Sequence, residues 1–79
     1  MDYKNILDQS SSLLSNLKVK NPRLDTELLL ANSLEISREN LLLNLTNQIK
    51  PKEQKKFNFL IEKRARKMPV AYILSYKDF

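Results

Sequence analysis

The stretch Asn21-Pro22-Arg23-Leu24-Asp25-Thr26-Glu27-Leu28-Leu29-Leu30-Ala31-Asn32-Ser33-Leu34 decides how the rest of the chain is read. Asn21-Pro22 has the form of a helix N-cap followed by the first helical residue, where proline's missing N–H costs nothing. Asp25 and Glu27 stand near the positive end of the helix dipole. The helix is expected from Pro22 to about Leu34. Leu24, Ala31 and Leu34 share one arc of a 3.6-residue wheel, and Glu27 falls between them. A carboxylate on a core-facing arc needs a cationic partner, because an unpaired buried charge is very costly.

Working outward, helical periodicity continues on both sides. Tyr3, Ile6, Leu7, Leu13, Leu14 and Leu17 fall on one arc of a first helix, with Asp2 as its N-cap. Lys18-Val19-Lys20 ends it and leads into the turn before Asn21. After the short connection Glu35-Ile36, Ser37 caps a third helix carrying Leu41, Leu42 and Leu45. Thr46-Asn47-Gln48 is turn-like. Pro51 opens a fourth helix that is expected to reach about Lys67 and to pack Phe57, Leu60, Ile61 and Met68. Pro69 marks a boundary, since the residue before proline avoids the α region. Pro69 also serves as the first residue of a final short helix, Val70–Leu74. β-branched residues are scattered, which argues against strands. The expected fold is all-α, a small bundle of four to five helices with short loops.

Arg64 is the second misplaced charge. It lies inside the apolar stripe of the fourth helix, at i+7 from Phe57 and i+4 from Leu60. We expect Glu27 and Arg64 to meet as a partly buried ion pair, with Asp25 as the substitute partner. The plainer alternative is that Arg64 runs its stem along apolar neighbours and keeps its head in water. Either role is structural.

Composition narrows the chemistry. A chain of 79 residues is one domain at most. With no cysteine and no histidine, zinc, thiol and imidazole chemistry are absent. There is no glycine either, so no phosphate or dinucleotide loop can form in this stretch. Asp8, Glu35, Glu39 and Asp78 are spread out, and Ser10-Ser11-Ser12 has no base beside it. Catalytic, cofactor-binding and metal-ligating residues are therefore expected to be none. The N-terminus has no signal-peptide core, and no apolar run approaches a membrane span. The chain reads as cytoplasmic, with no membrane partner.

The charge is concentrated. Lys50, Lys52, Lys55, Lys56, Lys63, Arg64, Arg66 and Lys67 face only Glu53 and Glu62 in residues 50–67, a net of +6. The remainder of the chain therefore carries −1 of the overall +5. Lys52, Lys55, Lys56, Lys63, Arg66 and Lys67 sit opposite the apolar stripe, with Phe59 among them. A basic face around an exposed aromatic suits a phosphate backbone or an anionic protein surface. The alternative is a solvated lysine-rich face, or one where Phe59 docks against a second domain.

Three segments together resemble the N-terminal domain of the HemK/PrmC family of protein-glutamine methyltransferases. Pro22 through Ala31 is similar to that family's Arg-x-Asp-Ala-Glu-x-Leu-Leu helix. Ile36-Ser37-Arg38-Glu39-Asn40-Leu41 is similar to the loop and helix start that come next in the family. Arg64 through Phe79 matches an Arg-x-x-x-x-Pro-x-x-Tyr-Ile stretch with a following acidic-Phe pair, and the spacing of Pro69, Tyr72 and Phe79 is its most specific part. The family often has Gly where Lys67 and Ser75 stand, and Ser or Thr where Lys50 stands.

The resemblance implies that residues 1–74 are a helical, substrate-positioning domain. It places residues 75–79 at the start of a linker to a catalytic domain absent from this sequence. That domain would hold S-adenosylmethionine and the Asn-Pro-Pro-Tyr motif, and the parent enzyme would methylate the Gly-Gly-Gln glutamine of class I peptide chain release factors. Glu27, Arg64, Pro69, Tyr72 and Phe79 would then be structural or interdomain residues. The implied partner is the release factor, with weak RNA contact through the basic face, and the domain would be a monomer. Two alternatives compete: a free-standing basic helical module that binds nucleic acid, and a helical adaptor with no enzyme attached.

Overall fold

The computed structural model describes residues 1–76. Five helices run in order: α1 Tyr3–Asn16, α2 Pro22–Leu34, α3 Arg38–Leu43, α4 Pro51–Ala65 and α5 Val70–Tyr76. Among the described residues there is no strand, only an isolated antiparallel bridge between Asp2 and Gln48. The all-α bundle expected from periodicity is the fold observed. Helix α2 touches each of the other four helices. It is buried almost all round, including the polar Asp25, Thr26, Glu27 and Ser33. The core gathers Tyr3, Ile6 and Leu7 of α1, Leu29, Leu30, Ala31 and Leu34 of α2, Leu41 of α3, Phe57 and Leu60 of α4, and Ile73 of α5.

Helix starts obey the sequence closely. Asp2 caps α1 by accepting the Asn5 N–H at 2.8 Å, and Ser37 caps α3 by accepting the Asn40 N–H at 3.0 Å. Asn21 occupies the N-cap of α2 but makes no side-chain cap bond, so proline carries that start alone. At α4 the Glu53 carboxylate accepts the Lys50 N–H at 3.0 Å. That is half a capping box, since a lysine side chain has no acceptor to return. The first turn of α1 is also stitched to the α3–α4 loop. Tyr3 N–H donates to the Asn47 carbonyl and Lys4 N–H to the Leu45 carbonyl, while Ile49 N–H donates to the Met1 carbonyl. Those bonds satisfy donors that a helix start otherwise leaves open.

Helix ends depart from expectation. α1 stops at Asn16, before Lys18, and α4 stops at Ala65, before Lys67. α3 stops at Leu43, so Leu45 lies outside it, and α5 runs to Tyr76, two residues beyond Leu74. The three longer helices each end in a residue with positive φ: Lys18 at 70°, Glu35 at 59° and Lys67 at 72°. Each shows the same pair of bonds. Lys18 N–H donates to Ser15 and Val19 N–H to Leu14; Glu35 N–H donates to Asn32 and Ile36 N–H to Ala31; Lys67 N–H donates to Arg64 and Met68 N–H to Lys63. This is the Schellman closure, built three times without glycine. Lys67 takes the left-handed conformation at a position where the resembled family often has glycine.

The interior charges are paired, but not as expected. Arg64 Nε donates to Asp25 Oδ2 at 2.9 Å, and its Nη1 donates to the Met68 carbonyl at 3.2 Å. Glu27 instead accepts from Arg23 Nε at 3.2 Å and Arg38 Nε at 2.7 Å. The expected Glu27–Arg64 pair is therefore replaced by Asp25–Arg64. Residues two positions apart on a helix are rotated by about 200°, so Asp25 and Glu27 point to opposite sides. Asp25 faces α4, while Glu27 faces Arg38 of α3. Leu13 and Leu17 also differ from expectation, being 47% and 38% exposed at the end of α1. Among the described residues only Asn32 Oδ1 is a buried side-chain polar atom without a hydrogen bond.

The Glu27 cluster extends outward. Arg23 Nη1 donates to Asp8 at 2.8 Å, and Lys4 Nζ donates to the other Asp8 oxygen at 3.0 Å. The bond from Arg23, and then that from Lys4, holds the Asp8 carboxyl below its ordinary value of 3.8. Arg23 is shifted up, first by its bond to Asp8. Tyr3 is shifted up by burial and then by the nearby Glu53 charge.

Arg64→Met leaves the Asp25 carboxylate buried and unpaired, and should cost about 2–4 kcal/mol in urea unfolding. Asp25→Leu combined with Arg64→Met should recover most of that loss, since an apolar pair replaces the ionic one. Lys18→Gly and Glu35→Gly should each add about 0.5–1 kcal/mol by removing the left-handed penalty. Lys67→Gly should add less, because it also deletes the bond from its ammonium to the Leu17 carbonyl. The Asp8 contribution derives from its depressed folded-state pKa. It is present above the unfolded-state value and is lost as pH falls through the lower folded value. NMR titration should place the Asp8 midpoint below 3.8, and Asp8→Asn should flatten the acid limb of stability against pH.

Candidate functional site

The outer face of α4 holds the candidate partner-binding residues. Positions 52, 55, 56, 59 and 63 recur at intervals of three and four, so one stripe forms along the flank of the side that buries Phe57 and Leu60. Lys52, Lys55 and Lys56 are exposed, with no ion-pair partner among the described residues. Phe59 is 50% exposed. The Lys63 ammonium stands 4.9 Å from the centre of its ring, a cation–π contact.

The other two cations are committed elsewhere. Arg66 lies one residue past α4 and pairs with Glu62 at 2.8 Å. Lys67, turned aside by its left-handed backbone, donates to the Leu17 carbonyl at the end of α1. The wheel placed both on the face; the early end of the helix takes Lys67 off it. An open hollow lined by Pro51, Lys52, Gln54, Lys55 and Asn58 flanks the start of the stripe, all from α4.

The structural residues divide differently. Arg64 and Glu27 are interior, in separate ion-pair groups. Pro69 is exposed ahead of α5, and its carbonyl accepts the Ile73 N–H. Tyr72 is 55% exposed on α5. Phe79 lies outside the described residues. Sequence reasoning missed the role of Arg38, which supplies the shorter of the two bonds to Glu27. Its position beside the Ser37 cap was the available signal, since that turn brings the start of α3 back against α2. Among the described residues no group of three or more His, Cys, Asp or Glu side chains could hold a metal ion. Among them, too, no helix is long and apolar enough to cross a membrane.

Comparison with known proteins adds to the geometry. The family model for the PrmC N-terminal domain matches residues 5–74. The chain is 33% identical over 76 residues to a release factor glutamine methyltransferase of Geobacter sulfurreducens, covering 96% of this chain and 27% of that protein. It is 33% identical over 79 residues to a release factor glutamine methyltransferase of Clostridium botulinum, covering 100% and 28%. It is 32% identical over 76 residues to a bifunctional methyltransferase of Rickettsia felis, covering 96% and 14%. The chain thus spans about a quarter or less of the length of these relatives. No solved structure gives a significant match. A match running from α1 into α5, together with relatives aligned along nearly the whole chain, leads to one conclusion: the chain belongs to the PrmC N-terminal domain family.

Proposed function

We propose that this chain is the accessory helical domain of an S-adenosylmethionine-dependent protein-glutamine methyltransferase. The parent enzyme methylates the Gly-Gly-Gln glutamine of class I peptide chain release factors in the cytoplasm. Residues 1–74 position the substrate, and the residues after them begin the linker to a catalytic domain. The observation that carries this reading is the family match over residues 5–74, with relatives named for that activity.

The chain's own residues fit the accessory role and do not fit the cofactor. S-adenosylmethionine needs a backbone loop that approaches it closely, which glycine permits; this chain has none. The hollow on α4 is lined by one helix and contains no carboxylate to receive a ribose. No methyl-transfer step is therefore assigned to these residues.

The test is direct binding of the 79-residue chain to a purified class I release factor by calorimetry. Saturable binding with Kd on the order of 10 μM is expected of a domain that positions but does not hold its substrate. A companion assay uses the longer enzyme with and without the helical domain. Its removal should raise KM for the intact release factor about tenfold while leaving KM for S-adenosylmethionine unchanged. Equal KM values for the release factor, with no binding by the isolated chain, would refute the positioning role.

A further inference from the structure

Among the described residues, most side-chain carboxylates are engaged within the domain. Asp2 caps α1, Asp8 takes Lys4 and Arg23, Asp25 takes Arg64, and Glu27 takes Arg23 and Arg38. Glu53 is turned to the Lys50 N–H, and Glu62 to Arg66. Among the described residues, the remaining two, Glu35 and Glu39, stand at the α2–α3 connection. Among the described residues, Lys52, Lys55 and Lys56 at the start of α4 have no ion-pair partner. Successive members of the stripe Lys52, Lys55/Lys56, Phe59 and Lys63 are about 4.5–6 Å apart along the axis, from the rise of the α-helix.

We infer that this stripe binds single-stranded nucleic acid, with Lys52, Lys55 and Lys56 on phosphates and one base stacked on the face of Phe59 away from Lys63. Three features favour this occupant over an acidic protein. The cations are lysines, which meet phosphate as point charges without reading sequence. A half-exposed aromatic between cations is the stacking platform that single strands use. The surface is a convex helix flanked by an open hollow, whereas protein hot spots sit in enclosed pockets. A flexible strand can track a ridge that a rigid protein surface meets along only one line. This inference is independent of the methyltransferase reading, and its test contains no release factor.

The test is fluorescence anisotropy of labelled oligo(U) and oligo(dT) of about twelve nucleotides, a length that exceeds the stripe. A duplex of equal length and polyglutamate of equal charge serve as comparisons. Over about 20–200 mM salt, log K should fall with a slope near −2, as expected for three phosphates on a single strand. Phe59→Leu keeps the aliphatic bulk and removes the stacking ring. It should weaken oligo(U) binding about tenfold without changing the slope. The triple variant Lys52→Gln, Lys55→Gln, Lys56→Gln should bring the slope close to zero. All four positions are exposed, and circular dichroism checks that the bundle is intact. If oligo(U) and oligo(dT) fail to bind, the inference is wrong. It is also wrong if Phe59→Leu binds like the parent, or if polyglutamate or duplex binds as tightly as the single strands. Equal affinity for polyglutamate would assign the face to acidic proteins instead.

Discussion

Burying a carboxylate in so small a domain is costly unless an arginine comes with it, and α2 buries two. Asp25 and Glu27 stand on opposite sides of a helix that all four others surround. Asp25 holds α4 through Arg64, and Glu27 holds α3 through Arg38 and reaches α1 by way of Arg23 and Asp8. Apolar packing supplies the larger part of the driving force but is indifferent to small rotations of one helix against another. The arginine forks are directional, and so they select one arrangement among the packings that the leucines would accept.

The absence of glycine shapes the helix ends. Each Schellman closure leads directly into an apolar residue, Val19, Ile36 or Met68. Val19 is buried, and Ile36 and Met68 pack against the core. The apolar residue after the turn therefore draws the chain inward and stabilises a left-handed conformation that lysine and glutamate adopt only at a cost. This links a local feature of sequence to core packing. Each of these helices stops where the next apolar side chain must turn back into the core.

Much of this architecture is legible in the sequence. Asp2, Pro22, Ser37 and Pro51 announce helix starts through chemistry confined to a few neighbouring residues. Phe57 and Leu60 announce the core face of α4 because that helix has one wet side. Legibility fails where the answer depends on several helices at once. On α2 the wheel cannot choose between Asp25 and Glu27 as the partner of Arg64, because nearly every direction from that helix is interior. Leu13 lies at the edge of the apolar arc of α1 beside the fully buried Leu14, and Leu17 follows the last helical residue, so both stay partly in water. Lys67 leaves the basic face through a left-handed turn that lysine gives no reason to expect. The stripe of Lys52, Lys55, Lys56 and Phe59 is visible from spacing alone. That its lysines have no ion-pair partner among the described residues is not, because it depends on where each distant carboxylate is spent.

Arg64 does more than neutralise Asp25. Its second bond grips the carbonyl of Met68, immediately ahead of Pro69, and Ile73 then anchors α5 in the core. The heading of α5 is thereby locked to α2 rather than left to a swivelling joint. The bearing of α5 is thus chosen by an aspartate far upstream, on a different helix. A substitution at Asp25 would therefore slacken the aim of α5 while leaving every residue of α5 untouched.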